Sequence, residues 1–518
     1  MIRFKKFYVT TAIDYPNAKP HLGQAYEKII ADVIARFHRA RCEDVFFLTG
    51  MDEHGQKIEN AAKKSGKSPQ EFVDDMSVFF KDLCEKLNIS NDDFIRTTNK
   101  NHEKNVTEIL EKVSEKEDIY KDHYEGLYCI SCEAFYTEKD AVDGKCPVHK
   151  SKLEVLREES YFFRLSKYRE SIIKYIKNNE KFIIPEFRRS EILNRLQEDL
   201  RDLSISRTNF SWGITLPEKI TGTEKGHVIY VWFDALTNYA TALCEGASFT
   251  PSKFQATQPN EGSKNEKYWP PDVQVIGKDI LWFHTVIWPA ILMSLGIPLP
   301  KTILVHGFIN IGGEKLSKTR GIIVDPDKIV DKYGVDSLRY FLMREIPFGE
   351  DGNFSEESLI NRHNSELADT LGNLVNRVLV LVEKNFDGLV QEPAEKDGLS
   401  KLALETVGKV ESSIENFQFH NTLNDIFYLI GEANKYINEN KVWEIKDKKK
   451  LGGILYNLLE TLRFSAILLY PFIPETSEKI MEQLGLEKNF FFKDLEWGLL
   501  KPGTKTNRGK VLFQKIKV

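Results

Sequence analysis

Two short stretches carry side chains suited to work on a nucleotide. Pro20-His21-Leu22-Gly23-Gln24 stands where a loop passes into an amphipathic segment. A helix N-terminus there offers backbone N–H groups and positive dipole potential, Gly23 permits close approach, and His21 and Gln24 add side-chain donors for a phosphate. Far downstream, Gly312-Gly313-Glu314-Lys315-Leu316-Ser317-Lys318-Thr319-Arg320-Gly321 forms a glycine-flanked loop with two lysines three residues apart. Ammonium groups on Lys315 and Lys318 can follow negative charge as it builds on a leaving pyrophosphate, the electrostatic work of nucleotidyl transfer. Taken alone, the first stretch reads also as a histidine capping a helix and the second as a solvated basic turn; their joint presence favours nucleotide chemistry. A third cluster pairs Cys129 with Cys132 and, after thirteen intervening residues, Cys146 with His149. Three thiolates and an imidazole in two close pairs suit one tetrahedral zinc ion, and four protein donors leave no position for a reactive water, so the ion would be structural.

The elements that must hold these groups can be read from the apolar pattern. Phe7 to Ala12 is β-prone, and Tyr26, Ile29, Ile30, Val33, Ile34 and Phe37 follow at the spacing of one buried helical face. Val45 to Gly50 is a continuous apolar run of the kind found in strands covered on both faces. The same pattern returns at Val228–Trp232, Val273–Gly277 and Ile303–Gly307, after a charged, cysteine-bearing interruption. The fold class predicted is α/β: a Rossmann-like doubly wound parallel sheet, interrupted by a zinc-knuckle connective insertion and followed by a C-terminal α-helical bundle. The divisions fall at 1–118 and 227–320 for the two halves of the nucleotide-binding unit, 119–226 for the insertion, 321–360 for a linking region and 361–518 for the helices. Within the last, Lys446-Asp447-Lys448-Lys449-Lys450 reads equally as a solvated helix end and as a patch for RNA.

Composition narrows the class. The 518 residues are 41% hydrophobic and 29% charged, a mixture for several folded domains rather than a disordered chain. Neither a secretory leader nor about 20 uninterrupted apolar residues occurs, and six cysteines are few, so a cytoplasmic, reducing location with no membrane contact is expected. A net charge of −5 gives no global case for a polyanion, so any RNA contact must be local.

The two nucleotide stretches, in this order and separation, resemble the signatures of class I aminoacyl-tRNA synthetases. Two departures stand out: Gln24 occupies the usual place of a second histidine and cannot be protonated, and Leu316 and Thr319 vary the lysine loop. Longer stretches, Thr11 to Asn17, Gly50 to Gly55, Tyr230 to Tyr239 and Trp282 to Ala290, are similar to the methionyl-tRNA synthetases. That resemblance implies activation of L-methionine by ATP with Mg²⁺, release of pyrophosphate, and transfer from the adenylate to the 3′-terminal ribose of methionine tRNA, initiator and elongator. It implies a methionine pocket of Ala12, Ile13, Tyr15, Trp232, Ala235, Leu236, Tyr239 and His284, with Asp52 on the ammonium group and Arg207 paired to Asp52. Aromatic walls suit a thioether, at about 0.3–1.5 kcal/mol per sulfur contact. Gly277-Lys278-Asp279 resembles the family's ribose-binding turn, which makes the ATP site His21, Gly23, Gln24, Gly277, Asp279 and Lys318. Asn373, Arg377 and Trp443 resemble its anticodon readers, an amide and a guanidinium for base edges and an indole for stacking. The rival readings are a class I enzyme for another apolar or thiol amino acid, and an RNA-binding relative without catalysis. Because the sequence stops soon after the bundle, a monomer without a further tRNA-binding domain is expected.

Overall fold

The apolar run Lys6–Thr11, buried from Phe7 onward, pairs in parallel with Asp44–Met51 on one side and Val273–Gly277 on the other. Asp93–Arg96 extends one edge, Ile303–His306 and then Ile183–Ile184 the other, giving a six-stranded parallel sheet. This computed structural model describes residues 5–130, 134–136, 141, 143–147, 150–244, 246–255, 266–311, 314–315, 324–393 and 397–517. Strand order runs outward in both directions from Lys6–Thr11, so a crevice opens between its carboxyl end and that of Val273–Gly277. In open parallel sheets this is where ligands bind.

The helix Leu22–Ala40 crosses over from the first strand to the second, burying Tyr26, Ile29, Ile30, Val33, Ile34 and Phe37. Each such side chain contributes about 1.5–3 kcal/mol of transfer free energy. Two edge strands escape the apolar pattern. Asp93–Arg96 is short and half polar, and Ile183–Ile184 has only two residues, yet the latter comes from within 119–226 and completes the sheet. The run Val228–Trp232 is a correction. Val228–Ile229 pairs antiparallel with Ser206–Arg207 in a separate two-stranded ribbon, and a helix begins at Val231. That helix, Val231–Thr241, is buried at every residue but Trp232, and a continuous apolar run cannot distinguish a covered strand from a buried helix. The rest of the insertion is led by a long antiparallel hairpin of Ile119–Cys129 and Glu154–Phe163.

The C-terminal third is helical. Lys448–Leu469 is its axis, buried from Leu451 to Leu469 on all sides, with Asn373–Phe386, Gly398–Glu415, Phe419–Glu439 and Pro474–Gln483 around it. A buried hub fastens this part to the first helix. Asp32 Oδ2 accepts from Arg36 Nε and from Arg339 Nη2, both at 2.7 Å. Arg339 donates further to the carbonyls of Leu87, Pro471 and Phe472 at 2.9–3.0 Å.

Candidate active site

At the start of the first helix, His21 is the N-cap. Its Nδ1 accepts from Gly23 N at 3.1 Å and Gln24 N at 3.4 Å, while Gln24 Oε1 accepts from His21 N at 3.0 Å. An Nδ1 that accepts leaves the ring proton on Nε2. Leu22 N donates to Val324 O at 3.3 Å, which brings the chain leaving the lysine loop against the helix start. The capping reading of His21 describes this state: the side chains that would greet a phosphate close the helix instead, in a reciprocal capping box. Gly23 has the corresponding reason, since a Cβ would lie 3.1 Å from the His21 ring.

Across the crevice, Gly277 ends its strand and Asp279 is exposed on the next turn. A side chain at Gly277 would come within 2.8 Å of Asp279 Oδ1, so glycine is what lets that carboxylate fold back over the strand end. Beside it, His306 Nε2 meets Glu27 Oε2 at 3.0 Å. Burial would lower the His306 pKa, but the Glu27 carboxylate more than reverses this; burial raises Glu27 itself.

The residues expected to form the amino-acid pocket come from three elements. Ala12 and Ile13, half-buried, continue the first strand. Ala235, Leu236 and Tyr239 line the buried helix, and Trp232 at its start stacks on Phe283 with ring centroids 3.8 Å apart. His284, in a π-turn at Phe283–Ile287, receives the Tyr239 hydroxyl on Nε2 at 2.8 Å. Its Nδ1 lies 3.1 Å from Ile280 O, and a carbonyl only accepts, so Nδ1 carries the proton. Burial pushes the His284 pKa down to about 4 and raises that of Tyr239. Both are therefore uncharged near neutral pH: a polar but neutral pair, suited to a soft uncharged side chain.

Asp52 is buried, with its N–H on Asp14 O at 2.9 Å. Tyr15 donates its hydroxyl to His54 O at 3.0 Å. Arg207 is buried, donating to Ser204 and Ser206 and lying over the Tyr230 ring at 4.4 Å.

The lysine loop is described only at Glu314–Lys315, whose backbone pairs with Ile309–Ile311; Lys318 lies outside the described residues. The same holds for Cys132 and His149 of the cysteine cluster. Cys129 and Cys146 are both buried around Leu153, and Ser151 joins them, its Oγ 3.5 Å from Cys129 Sγ and its carbonyl accepting from Cys146 N at 2.8 Å. Two soft donors brought together in so small a core fit a structural metal. Another group of ligand types, Glu159, Glu224 and His227, already holds a cation of its own: Lys121 Nζ lies 2.7 Å from Glu159 and 2.5 Å from Glu224.

Among the helices, Asn373 is exposed and Arg377, one turn on, donates to Asn438 at 2.9 Å. Trp443, just past the helix Phe419–Glu439, is 60% exposed, so its indole is open to a stacking partner. Of the basic run, Lys448 to Lys450 open a helix capped by Asp447.

Sequence reasoning missed the partners joined only by the fold. Lys28 forms a buried ion pair with Asp14, and Asp234 accepts from both His54 and His102. Both Asp14 and Asp234 lie in stretches quoted for their resemblance, but nothing in their spacing marks a partner.

Residues 7–155 and 148–379 match the family model described as tRNA synthetases class I (M), and residues 397–511 match the anticodon-binding domain of tRNA ligase. The chain is 48% identical to the methionine–tRNA ligase of Caldanaerobacter subterraneus subsp. tengcongensis over 99% of its own length and 79% of the relative's. It is 43% identical to that of Thermotoga maritima, over 99% and 80%. A solved Mycobacterium tuberculosis methionyl-tRNA synthetase in complex with methionyl-adenylate superposes with a TM-score of 0.90 at 40% identity, covering 98% of this chain and 100% of that one.

Proposed function

The chain belongs to the methionyl-tRNA synthetases of class I, and from that premise we propose how its residues divide the work. It is a methionine–tRNA ligase: methionine is activated with ATP and then transferred to tRNA. In the proposed arrangement the methionine side chain lies among Ala12, Ile13, Trp232, Ala235, Leu236, Tyr239 and His284, with Tyr15 at its mouth. Asp52 takes the ammonium group, and Arg207 supports Asp52. The observation that carries this reading is the neutral Tyr239–His284 pair, tied to the first strand by the Tyr8 hydroxyl, which donates to the Tyr239 carbonyl at 2.8 Å.

Methionine's carboxylate is already ionised near neutral pH and needs no general base to attack the α-phosphorus. One oxygen–phosphorus bond forms as the bond to pyrophosphate breaks, so the protein's task is positioning and charge stabilisation. His21, Gly23 and Gln24 hold the phosphates: an anion at this helix start replaces the cap by satisfying the same donors. Gly277 and Asp279 receive the ribose, and Lys315 and Lys318 stabilise the leaving pyrophosphate. Mg²⁺ accompanying ATP supplies further neutralisation of phosphate charge. A hydroxyl of the 3′-terminal ribose of tRNA then attacks the methionyl carbonyl, forming the ester as the acyl–phosphate bond breaks and AMP leaves.

Cys129, Cys132, Cys146 and His149 would hold one structural zinc ion in the insertion, residues 119–226, between the catalytic halves 1–118 and 227–320. Residues 321–360 link these to the helices of 361–518, where Asn373, Arg377 and Trp443 read the anticodon. A cytoplasmic location accords with a role in translation; among the described residues no helix is long and apolar enough to cross a membrane.

Replacing Lys318 by Ala tests the catalytic assignment. Methionine-dependent ATP–pyrophosphate exchange should fall by about 10²–10³-fold, the scale of losing one transition-state donor, with an unchanged circular dichroism spectrum. Near-normal exchange would refute it.

A further inference from the structure

Between two walls of the pocket lies a network that the activation chemistry does not use. Asp234 stands on the buried helix Val231–Thr241, two residues after Trp232 and next to Ala235. Its Oδ2 accepts from His54 Nδ1 and its Oδ1 from His102 Nε2, each at 2.7 Å. His54 follows Asp52 by two residues at the end of the second strand, and its carbonyl receives the Tyr15 hydroxyl. His102, on the helix Lys100–Ser114, reaches Thr241 at the far end of Asp234's own helix, Nδ1 to Oγ1 at 2.7 Å. Asp234, His54, His102 and Thr241 are all buried. Burial would raise the Asp234 carboxyl, but the two imidazoles hold it down at about 2, so it is an anion throughout the working range.

Each carboxylate oxygen is thus spent on a different element. A shift of the helix must disturb both bonds at once, so the two together hold the helix against the strand end and against the helix Lys100–Ser114. Trp232 travels with the helix and Asp52 with the strand. We propose that Asp234, held by His54 and His102, is a positioning residue that sets the distance between Asp52 and Trp232 and so selects the length of the amino-acid side chain. This rests on the reading of Asp52 and Trp232 as the ammonium and side-chain contacts. A tie that served stability alone would leave selectivity untouched.

Asp234→Asn keeps the shape but offers an oxygen to only one imidazole. In ATP–pyrophosphate exchange with the full chain, the methionine KM should rise about tenfold, as for the loss of one charged hydrogen bond, with the ATP KM within about twofold. Preference for methionine over ethionine, one methylene longer, should shrink by about the same factor. His102→Gln can still present an N–H toward Asp234 and should stay within about threefold of the original KM, whereas His102→Ala should repeat the Asp234→Asn pattern. Equal rises in both KM values, or an unchanged methionine KM with only a lower melting temperature, overturn the proposal. If Asp234→Asn does not accumulate as folded protein, the two His102 variants decide by the same criterion. Asp52→Asn, run alongside, separates the two levels. An unchanged methionine KM there strikes at the pocket reading itself, while a raised one beside an unaffected Asp234→Asn strikes only at the positioning role.

Discussion

Acid should loosen this protein in part at the His284 imidazole, whose share can be separated from those of His38 and His363, which burial also lowers. The His284 pKa is moved by burial from an ordinary 6.5 to about 4 in the folded chain. Between those values the unfolded chain binds the proton and the folded chain does not, so stability falls as pH drops below about 6.5 and the loss is complete near pH 4. The full difference is about 3 kcal/mol, of which about 2 kcal/mol is lost by pH 5. His284→Gln keeps an acceptor for the Tyr239 hydroxyl but cannot titrate. Urea midpoints of the two proteins, followed from pH 7.5 to 5, should converge as the parent loses its advantage, while other histidines contribute equally to both. The Asp234 carboxyl is held low and gives up its stabilisation only below its ordinary value of 3.8, so it leaves this window clear. A pH-independent difference between the two proteins, or a histidine-labelled nuclear magnetic resonance titration placing His284 near 6.5, would refute the reasoning.

Three more outcomes follow from the same geometry. Trp443→Ala should raise the KM for tRNA by the worth of one stacked base, about 1–3 kcal/mol, and leave tRNA-independent pyrophosphate exchange and thermal stability unchanged; loss of stability would return that indole to the core. Lys28→Met strands the Asp14 carboxylate in a buried site and should cost about 3–5 kcal/mol, seen in thermal unfolding, whereas a shift under about 1 kcal/mol would show the pair to be dispensable. Chelation followed by metal analysis should remove one zinc per chain and speed proteolysis within residues 119–163; unchanged digestion and aminoacylation would end the structural role.

What the sequence disclosed was local. The strands Lys6–Thr11, Asp44–Met51, Val273–Gly277 and Ile303–His306 are apolar enough to be read directly, and the helix with His21 at its head follows from its stripe. Asp93–Arg96 and Ile183–Ile184 were illegible because edge strands need few apolar residues and gain their identity from a neighbour distant in sequence. Val228–Trp232 was misread because burial on all sides erases the difference between the two periods. Asp234 lies 180 residues from His54 and 132 from His102, and no spacing rule spans such distances. Likeness to a family could name Trp232 and His284 for the pocket, but not the tautomer of His284 or the carboxylate behind the wall.

The hub at Asp32 gives the first helix the mechanics of a pivoted lever. His21 stands eleven residues before Asp32, about 16 Å along a rigid helical rod. A tilt of about 4° at the pivot would therefore carry the imidazole about 1 Å, a displacement that can cost about a hundredfold in rate. The carbonyls of Pro471 and Phe472, far along the chain in the helical third, are part of the clamp that forbids this tilt. Alignment at the end that carries His21 is thus held partly by residues from the portion of the chain matched to anticodon binding.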